Sequence, residues 1–561
     1  MLPVRPKQTL SLQTRDRVRL DADVYYPEAA GPFPVLLMRQ PYGRAIASTV
    51  VYAHPTWYAA HGYIVVIQDV RGRGTSEGEF QLFAHEIEDG IDTVNWAASL
   101  PGSTGDVGMY GFSYQGMTQL YAAAGQPAAL KTLCPAMIGY DLYADWAYEG
   151  GAFCLMASLG WATQLAAETA RRHGDLEAYR TLYAAARSGP SCDPVSGQSS
   201  LLNRLAADSF YHDWLRHPTP DRYWEALSPR YALQGIDLPM LHIGGWFDTY
   251  MRGTWRFYHD RITYSSQPQH LWVGPWPHIP WGRKVGEVDL GAAATSPIDR
   301  VQIRWFDQFL KGIDTGLSHE SPVHVFELGR NQWRSLPSLP SPEPTPMYLS
   351  SQGLASMGDP ASTLTREPVG SPSSPDCLVH DPWRPVPALG GHAAAPAGIS
   401  DRAALDDRAD VLTYTSTPFS TAISLLGTIA LEVYCQATTS SFDLCAVVSE
   451  VRPDGPVYHL AQGYRRVSQP DWLDAPLRIT LQPICTCIAP GCALRLSLSG
   501  ACYPAYTVNA GTYPWVSQRH IIEAQVITIW VHSGQQHPAK LLLPLIDFDA
   551  RSKVDREETA S

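Results

Sequence analysis

The chain has 561 residues, 45% of them apolar and 17% charged. This composition excludes an intrinsically disordered protein, because so many apolar side chains can bury a core, and the length predicts two or three domains of about 100–200 residues each. The 42 Lys and Arg against 54 Asp and Glu give a net charge of −12, and a net-acidic chain without a long basic run disfavours nucleic acid or an anionic membrane as a partner.

The amino-terminal segment and the cysteines favour a cytoplasmic protein. Residues 1–26 contain no apolar segment of the kind found in signal peptides, and no stretch reaches the roughly 18 uninterrupted apolar residues of a transmembrane helix. The ten cysteines include no CxxC pair of the zinc-binding type. We therefore expect reduced and mostly buried cysteines, and neither a metal ion nor another cofactor.

The first third of the chain alternates short apolar segments with helical ones. Residues 64–69 form a continuous run rich in β-branched side chains, which is typical of a parallel strand covered on both faces. Further strands are expected at 35–38, 107–110 and 130–136, and a helix at 86–100. Because strand and helix alternate, we predict a parallel sheet with helices on both sides.

This alternation stops near residue 140 and resumes near residue 230. Residues 140–229 are rich in Ala, Trp, Tyr and Arg at helical spacing, which predicts a helical insertion. Apolar runs at 239–243 and 270–273, followed by a helix at 297–311, continue the α/β pattern.

Beyond residue 320 the chain consists of short alternating runs separated by Pro- and Ser-rich linkers. Such runs, for example 323–326 and 429–433, are typical of strands in a two-sheet sandwich or jelly roll. We therefore predict a separate all-β domain at the carboxyl terminus.

The clearest local motif for chemistry is residues 109–116, where Ser113 follows an apolar strand and opens a helix of small residues. This pattern is typical of a nucleophile elbow, a sharp turn that exposes the serine Oγ above the edge of the sheet. Gly111 and Gly116 let neighbouring backbone pass without a Cβ clash, although Gly116 lies one residue further from the serine than in the common G-x-S-x-G pattern. The backbone N–H of Tyr114 would point to where an oxyanion forms.

A serine nucleophile needs a base and a carboxylate that orients the base. In α/β hydrolases the acid and then the histidine follow the serine along the chain, on loops at the carboxyl ends of later strands. Two strand ends fit this order, since Asp248 follows the strand at 239–243 and His278 follows the strand at 270–273. We predict that His278 takes the proton of Ser113 and that Asp248 fixes the tautomer of the imidazole.

Short motifs occur along the chain in a characteristic order. They are RQPY at 39–42, QDVRGRGTSEGEF at 68–80, GFSYQG at 111–116, GGWFD at 244–248, GPWPH at 274–278, RWFD at 304–307, RADVLTYT at 408–415 and PDG at 453–455. In this order they resemble the X-Pro dipeptidyl-peptidase / cocaine esterase family of serine hydrolases, which also includes α-amino acid ester hydrolases and glutaryl acylases.

The resemblance and the element pattern together predict an α/β-hydrolase fold with a helical cap insertion and a carboxy-terminal all-β jelly-roll domain. The predicted segments are an α/β-hydrolase body at 1–139, a helical cap at 140–229, the remainder of the body at 230–319, and a jelly roll at 320–561.

The resemblance also implies roles for individual side chains. It implies that the hydroxyl of Tyr42 is the second oxyanion donor, and the loop that follows the first core strand does end at the carboxyl edge of the sheet. It further implies that Trp146, Trp161 and Tyr250 line the acyl pocket, where flat aromatic walls suit an apolar or benzoyl-like group.

The predicted activity is hydrolysis of a carboxylic ester through an acyl-enzyme, with a small-molecule ester or amide as substrate. An amide-directed acylase, an α-amino acid ester hydrolase or an X-Pro dipeptidyl aminopeptidase of the same family is the alternative, because Asp141, Asp145 and Glu149 could bind an α-amine. A remoter alternative is a non-catalytic protein that binds carbohydrate or a partner through the jelly roll. The sequence does not identify the natural substrate. It leaves the oligomeric state open, and a homo-oligomer is compatible with it.

Overall fold

A computed structural model describes residues 1–45, 49–189, 191–358, 362–368, 374–469, 471–512 and 519–548 of the chain. The elements before residue 140 are β1 (Gln8–Gln13), β2 (Arg19–Tyr25), β3 (Phe33–Gln40), α1 (Pro55–Ala60), β4 (Ile64–Asp69), α2 (Glu86–Ala98), β5 (Ser103–Phe112), α3 (Tyr114–Ala124) and β6 (Leu130–Ala136). The mostly helical segment that follows contains a π-helical turn (Tyr143–Ala147), β7 (Tyr148–Glu149), β8 (Ala152–Phe153), α4 (Leu155–Arg172), α5 (Leu176–Ser188), α6 (Ser200–Leu205), α7 (Phe210–Arg216), α8 (Arg222–Leu227) and α9 (Pro229–Ala232).

Strands and helices alternate again after residue 239. These elements are β9 (Met240–Phe247), α10 (Met251–Tyr264), β10 (Gln269–Pro277), β11 (Lys284–Val285), β12 (Val288–Asp289), α11 (Ile298–Lys311), β13 (Val323–Glu327) and β14 (Gln332–Leu336). The carboxy-terminal elements are β15 (Thr345–Ser351), β16 (Ser362–Thr365), β17 (Asp376–His380), α12 (Ala403–Asp406), β18 (Val411–Ser416), β19 (Ile423–Gly427), β20 (Ala430–Ala437), β21 (Phe442–Val451), β22 (Val457–Val467), β23 (Asp471–Thr480), β24 (Ile484–Ile488), β25 (Ala493–Ser499), β26 (Ile527–His532), β27 (Lys540–Leu543) and β28 (Leu545–Ile546).

A ten-stranded sheet organises the first part of the described chain, in the order β1-β2-β4-β3-β5-β6-β9-β10-β13-β14. The strands from β4 to β13 in this order are parallel to their neighbours, and antiparallel pairs close both ends. The carboxyl ends of the parallel strands therefore meet at one edge, where loops can bring distant residues together.

Alternation of side chains along β3 explains why its sequence is apolar throughout. Val35 and Leu37 pack on one face of the sheet in a cluster with residues of α2 and α3. Leu36 and Met38 pack on the other face with residues of α1 and α11. The strand is apolar on both sides because both are covered by helices, which confirms the predicted mixed α/β architecture.

One strand prediction was wrong. The run at 323–326 was expected in the carboxy-terminal sandwich, but β13 pairs in parallel with β10 and antiparallel with β14, so it extends the main sheet. Its alternating sequence is compatible with either sheet, and only tertiary pairing decides which one it joins. The domain limits derived from the sequence remain predictions, and residues 549–561 of the last predicted domain lie outside the described residues.

The carboxy-terminal part is rich in strands, as predicted. Its described strands form an eleven-stranded sheet and a three-stranded sheet that combines β24, β19 and β28. The apolar cluster inside this part also contains Trp246, Phe247 and Val325 from the main sheet. The two parts of the chain therefore share a continuous core, so that their contact is formed by packed apolar side chains.

No helix within the described ranges combines the length and the apolar character needed to cross a membrane.

The turn between β7 and β8 packs directly on the carboxy-terminal part, and this contact can be tested. A Cβ on Gly150, which has a φ of +54°, would lie 1.9 Å from the carbonyl oxygen of Tyr464. We expect Gly150→Ala to lower the free energy of unfolding by about 1–3 kcal/mol more than Gly174→Ala, through overpacking against rigid backbone. Gly174 has a similar φ of +79° but nothing within 4 Å of the added Cβ, so it is the matched control. Apparent Tm values measure the difference, and equal losses would contradict the contact.

Candidate active site

Ser113 lies in a strained turn between β5 and α3. Its φ of 59° and ψ of −128° are unusual for a residue with a side chain, and such backbone costs about 1–3 kcal/mol. A Cβ on Gly111 would lie 2.5 Å from Cβ of Gln115, and a Cβ on Gly116 would lie 2.4 Å from Ile138. The sharp turn therefore requires both glycines, which agrees with the predicted elbow.

His278 and Asp248 lie at the ends of adjacent strands. Because β9 and β10 pair in parallel, the residues that follow them meet at one edge of the sheet. The Nδ1 of His278 lies 2.7 Å from Oδ1 of Asp248, and a carboxylate can only accept, so Nδ1 carries the proton. Nε2 is then the nitrogen left to act on a hydroxyl. The carboxylate of Asp248 is fully buried, whereas the side chain of His278 is 28% exposed.

Ser113 and His278 line the same cavity, which has a volume of about 550 Å³. The imidazole of His278 packs against Tyr250, with ring centroids 5.0 Å apart in an edge-to-face arrangement, and against Phe112 at 5.4 Å. The predicted nucleophile and base thus face a common space in which a substrate carbonyl could bind.

Tyr42 follows β3 and also lines this cavity. The indole Nε1 of Trp161 donates a hydrogen bond to the hydroxyl oxygen of Tyr42 at 3.0 Å. Burial raises the pKa of Tyr42 to about 12, against the hydrogen bonds of Trp161 and Ser113 and the positive charge of Arg73. The phenol therefore keeps its proton at neutral pH and can donate it in a hydrogen bond.

The backbone N–H and the phenol of Tyr114 lie in different environments. Its backbone N–H occupies the first position of α3, where an N–H has no carbonyl partner inside the helix and is available to an anion. Its phenol turns away from the cavity, donates to Oε1 of Glu86 at 2.6 Å and stacks on Phe83 with centroids 4.7 Å apart.

The three aromatic side chains predicted for the acyl pocket all line the cavity. The ring centroid of Trp146 lies 4.2 Å from that of Tyr250 and 5.2 Å from that of Trp161. Met156 and Ala157 from α4 complete this apolar side. Among the described residues that line the cavity there is no Asp, Glu, Lys or Arg.

Sequence reasoning missed one side of the cavity, which the carboxy-terminal part supplies. His392 and the alanines of residues 393–397 line it, more than 270 positions after Ser113 in the chain. The run of small residues after Gly390 and Gly391 was the only available signal, and it does not indicate which site the loop approaches.

A buried cluster holds His392 beside the cavity. Oε2 of Glu149 lies 2.9 Å from Nε2 of His392, accepts from Nη1 of Arg252 at 2.7 Å and accepts from the hydroxyl of Tyr506 at 2.5 Å. Burial alone would raise the pKa of Glu149, but the charges of Arg252 and His392 lower it to about 2. This carboxylate is therefore ionised, and its Oε2 is engaged by three neighbouring groups, whereas its buried Oε1 has no hydrogen-bond partner among the described residues.

The other two acidic residues considered for amine binding are also paired. Oδ2 of Asp145 accepts from the backbone of Asp141 at 2.8 Å, and Oδ1 lies 3.1 Å from Arg256. Asp141 accepts from two backbone N–H groups and lies 3.5 Å from Arg230. None of Asp141, Asp145 and Glu149 is among the residues lining the cavity.

The described residues contain a second cavity, but no group of side chains that could bind a metal ion. A cavity of about 420 Å³ near the start of α11 contains none of the predicted site residues. Within the described ranges, no group of three or more His, Cys, Asp and Glu side chains is arranged to hold a metal ion.

Comparisons with known proteins give consistent results over nearly the whole chain. Residues 16–280 match the family model described as X-Pro dipeptidyl-peptidase (S15 family), and residues 315–542 match the one described as X-Pro dipeptidyl-peptidase C-terminal non-catalytic domain. The chain is 30% identical to the cocaine esterase of Rhodococcus sp. (strain MB1 Bresler), over 95% of this chain and 97% of that protein.

Solved structures share the fold. An aminopeptidase from the marine sediment archaeon Thaumarchaeota archaeon has a TM-score of 0.80 at 22% identity, covering 97% of this chain and 96% of its own. An α-amino acid ester hydrolase has a TM-score of 0.78 at 22% identity, covering 97% of both chains. At this identity, the two structures support the architecture alone.

Proposed function

The chain belongs to the X-Pro dipeptidyl-peptidase (S15) family and is a serine hydrolase. From this premise we propose that it cleaves uncharged carboxylic esters. The observation that carries the proposal is the 2.7 Å contact of His278 with the buried Asp248, beside a cavity that Ser113 also lines. A nucleophile, a base and an oriented acid are the parts that acyl transfer requires.

In the proposed reaction, Oγ of Ser113 attacks the ester carbonyl carbon while its proton passes to Nε2 of His278. The carbon–oxygen bond to the leaving alcohol then breaks, and the alcohol takes that proton. Water then attacks the acyl carbon and gives a proton to Nε2 of His278. The bond from that carbon to Oγ breaks, Oγ of Ser113 takes the proton from His278, and the carboxylic acid is released. Asp248 holds the imidazole in the required tautomer and stabilises the imidazolium.

Two donors would stabilise the oxyanion. The hydroxyl of Tyr42 and the backbone N–H of Tyr114 both lie next to Ser113, and the indole of Trp161 occupies a lone pair of the Tyr42 oxygen. Because a phenol has one proton, this hydrogen bond from Trp161 leaves the O–H of Tyr42 to point at the substrate. Removing one such donor costs about 2.7–4 kcal/mol of transition-state stabilisation.

The composition of the cavity supports an uncharged acyl group. Trp146, Trp161 and Tyr250 present aromatic faces, and a charged group would be desolvated there without a partner. The carboxylates that could bind an α-amine are engaged by arginines outside the cavity lining. These contacts favour an ester hydrolase over an enzyme that selects α-amino acid esters, amides with a free amine or X-Pro dipeptides.

We further propose the finer architecture. The ten-stranded sheet and its helices are interpreted as an α/β-hydrolase body, the segment at 140–229 as a helical cap and the strand-rich carboxy-terminal part as a jelly roll. The cap and the carboxy-terminal loop at 392–397 would then close the active site from two sides.

Replacing the proposed nucleophile tests the mechanism directly. We expect Ser113→Ala to lower kcat for p-nitrophenyl butyrate by about 10⁶-fold, because the oxygen that forms the acyl-enzyme is removed. Ser497→Ala, at another buried serine in β25, should retain activity and serves as the control. Turnover retained in full by Ser113→Ala would refute the assignment.

The hydrogen bond between Trp161 and Tyr42 predicts a second effect. Trp161→Phe keeps an aromatic wall but removes the N–H, so kcat should fall about three- to tenfold, the worth of one hydrogen bond. In a Tyr42→Phe background the same substitution should cost almost nothing, because the hydroxyl that it orients is gone. Trp224→Phe, whose N–H donates instead to His217, is the matched control. An equal loss in both backgrounds would argue that Trp161 contributes only packing.

The preference for an α-amine can be measured with a pair of substrates. We expect phenylglycine methyl ester to be hydrolysed no faster than its N-acetylated form, because no described residue of the cavity lining offers a carboxylate to an ammonium group. The comparison uses kcat/KM at neutral pH, with p-nitrophenyl butyrate as the reference. A strong preference for the free amine would instead support an α-amino acid ester hydrolase.

A further inference from the structure

One side chain of the carboxy-terminal part reaches the loop that carries Asp248. Gln482 lies between β23 and β24 and is 2% exposed. Its amide Nε2 donates to the backbone carbonyl of Trp246 at 2.9 Å and to the backbone carbonyl of Asp248 at 2.8 Å. Its own backbone N–H donates to Gln462 at 2.9 Å, which ties it to β22.

The acid that Gln482 contacts has few other restraints. Oδ1 of Asp248 is bonded to His278, but Oδ2 is buried and has no hydrogen-bond partner among the described residues. With only one described hydrogen bond to its side chain, the position of this carboxylate depends on where its backbone is held. The remaining backbone bonds of Asp248 are within its own turn, from its N–H to Gly245 at 3.0 Å and to its carbonyl from Met251 at 3.2 Å.

We propose that Gln482 is a positioning residue for catalysis, because its amide fixes the backbone on both sides of Phe247 and so sets where the carboxylate of Asp248 meets His278. This inference rests on the proposed function. It gives a part in the reaction to a region whose matching family model is described as non-catalytic. The two hydrogen bonds from the planar amide of Gln482, at 2.9 and 2.8 Å, restrain the backbone of this turn from outside. The two bonds inside the turn, at 3.0 and 3.2 Å, are longer and restrain it less.

The alternative is that Gln482 merely joins the two parts of the chain. In that case its loss would lower stability, yet leave the chemistry of every folded molecule unchanged. Because Phe247 also lines the cavity, a change in KM alone would not distinguish the two roles. The decisive readout is whether the effect of Gln482 passes through the carboxylate of Asp248.

The experiment compares Gln482→Met in two backgrounds. The methionine has a similar length but no N–H, so we expect kcat for p-nitrophenyl butyrate to fall about tenfold, as follows from a small misplacement of a catalytic group, with KM within about threefold. In an Asp248→Asn background the same change should cost less than about twofold, because coupled residues are not additive. The rate at which a fluorophosphonate labels Ser113 provides the measurement for the slow variants.

Controls separate this inference from stability and from the proposed function. Tyr414→Phe removes a buried hydrogen bond to Asp376 inside the same carboxy-terminal part and should leave kcat unchanged. If Gln482→Met does not fold, Gln482→Asn, which keeps an amide but cannot reach both carbonyls, replaces it with the same expectations. An unchanged kcat, or an equal loss in both backgrounds, would overturn the inference. The proposed function fails separately, if Ser113→Ala keeps its turnover.

Discussion

The site depends on the parallel pairing of β9 with β10 next to β6 and β5. Parallel strands end at the same edge, so the residues that follow three of them, Ser113, Asp248 and His278, are brought together without any long reach of a side chain. The 2.7 Å contact between His278 and Asp248 is possible because their strands are neighbours. If β9 and β10 were not neighbours in the sheet, Asp248 and His278 would lie in separate turns and could not form this contact.

The described lining of the cavity contains no Asp, Glu, Lys or Arg, although acidic and basic side chains lie close to it. Glu149 and Arg252 form a buried pair that His392 and Tyr506 complete, so that the carboxylate is neutralised where it stands. A buried charge without such partners would be very costly. The arrangement leaves an apolar, aromatic space next to Ser113 and His278, which suits the proposed neutral ester.

The same cluster explains how separate segments enclose one site. Glu149 belongs to the mainly helical segment, Arg252 to α10 of the main sheet region, and His392 with Tyr506 to the carboxy-terminal part. Gln482 adds a second connection between that last part and the loop of Asp248. The strand-rich region is thus attached at two places near the cavity, at Glu149 and at the backbone of Asp248, in addition to the apolar core that it shares with Trp246 and Phe247.

The sequence by itself determined those features that depend only on residues close together in the chain. The glycines around Ser113 are needed by one sharp turn, and Asp248 and His278 each follow a recognisable apolar strand, so these positions and the mixed α/β architecture could be predicted. The family resemblance, and not the local sequence, pointed to Tyr42 and to the three aromatic residues that line the cavity.

Only the tertiary structure decided which distant segments pair. It placed β13 in the main sheet and put Asp141, Asp145 and Glu149 in ion pairs outside the cavity lining. It also brought the loop after Gly391 to the cavity and the amide of Gln482 to the backbone of Asp248. An alternating strand, an acidic side chain or a buried glutamine has the same local sequence whatever its partner is. The partner is chosen by the packing of segments that lie tens to hundreds of residues apart, and no spacing along the chain predicts it.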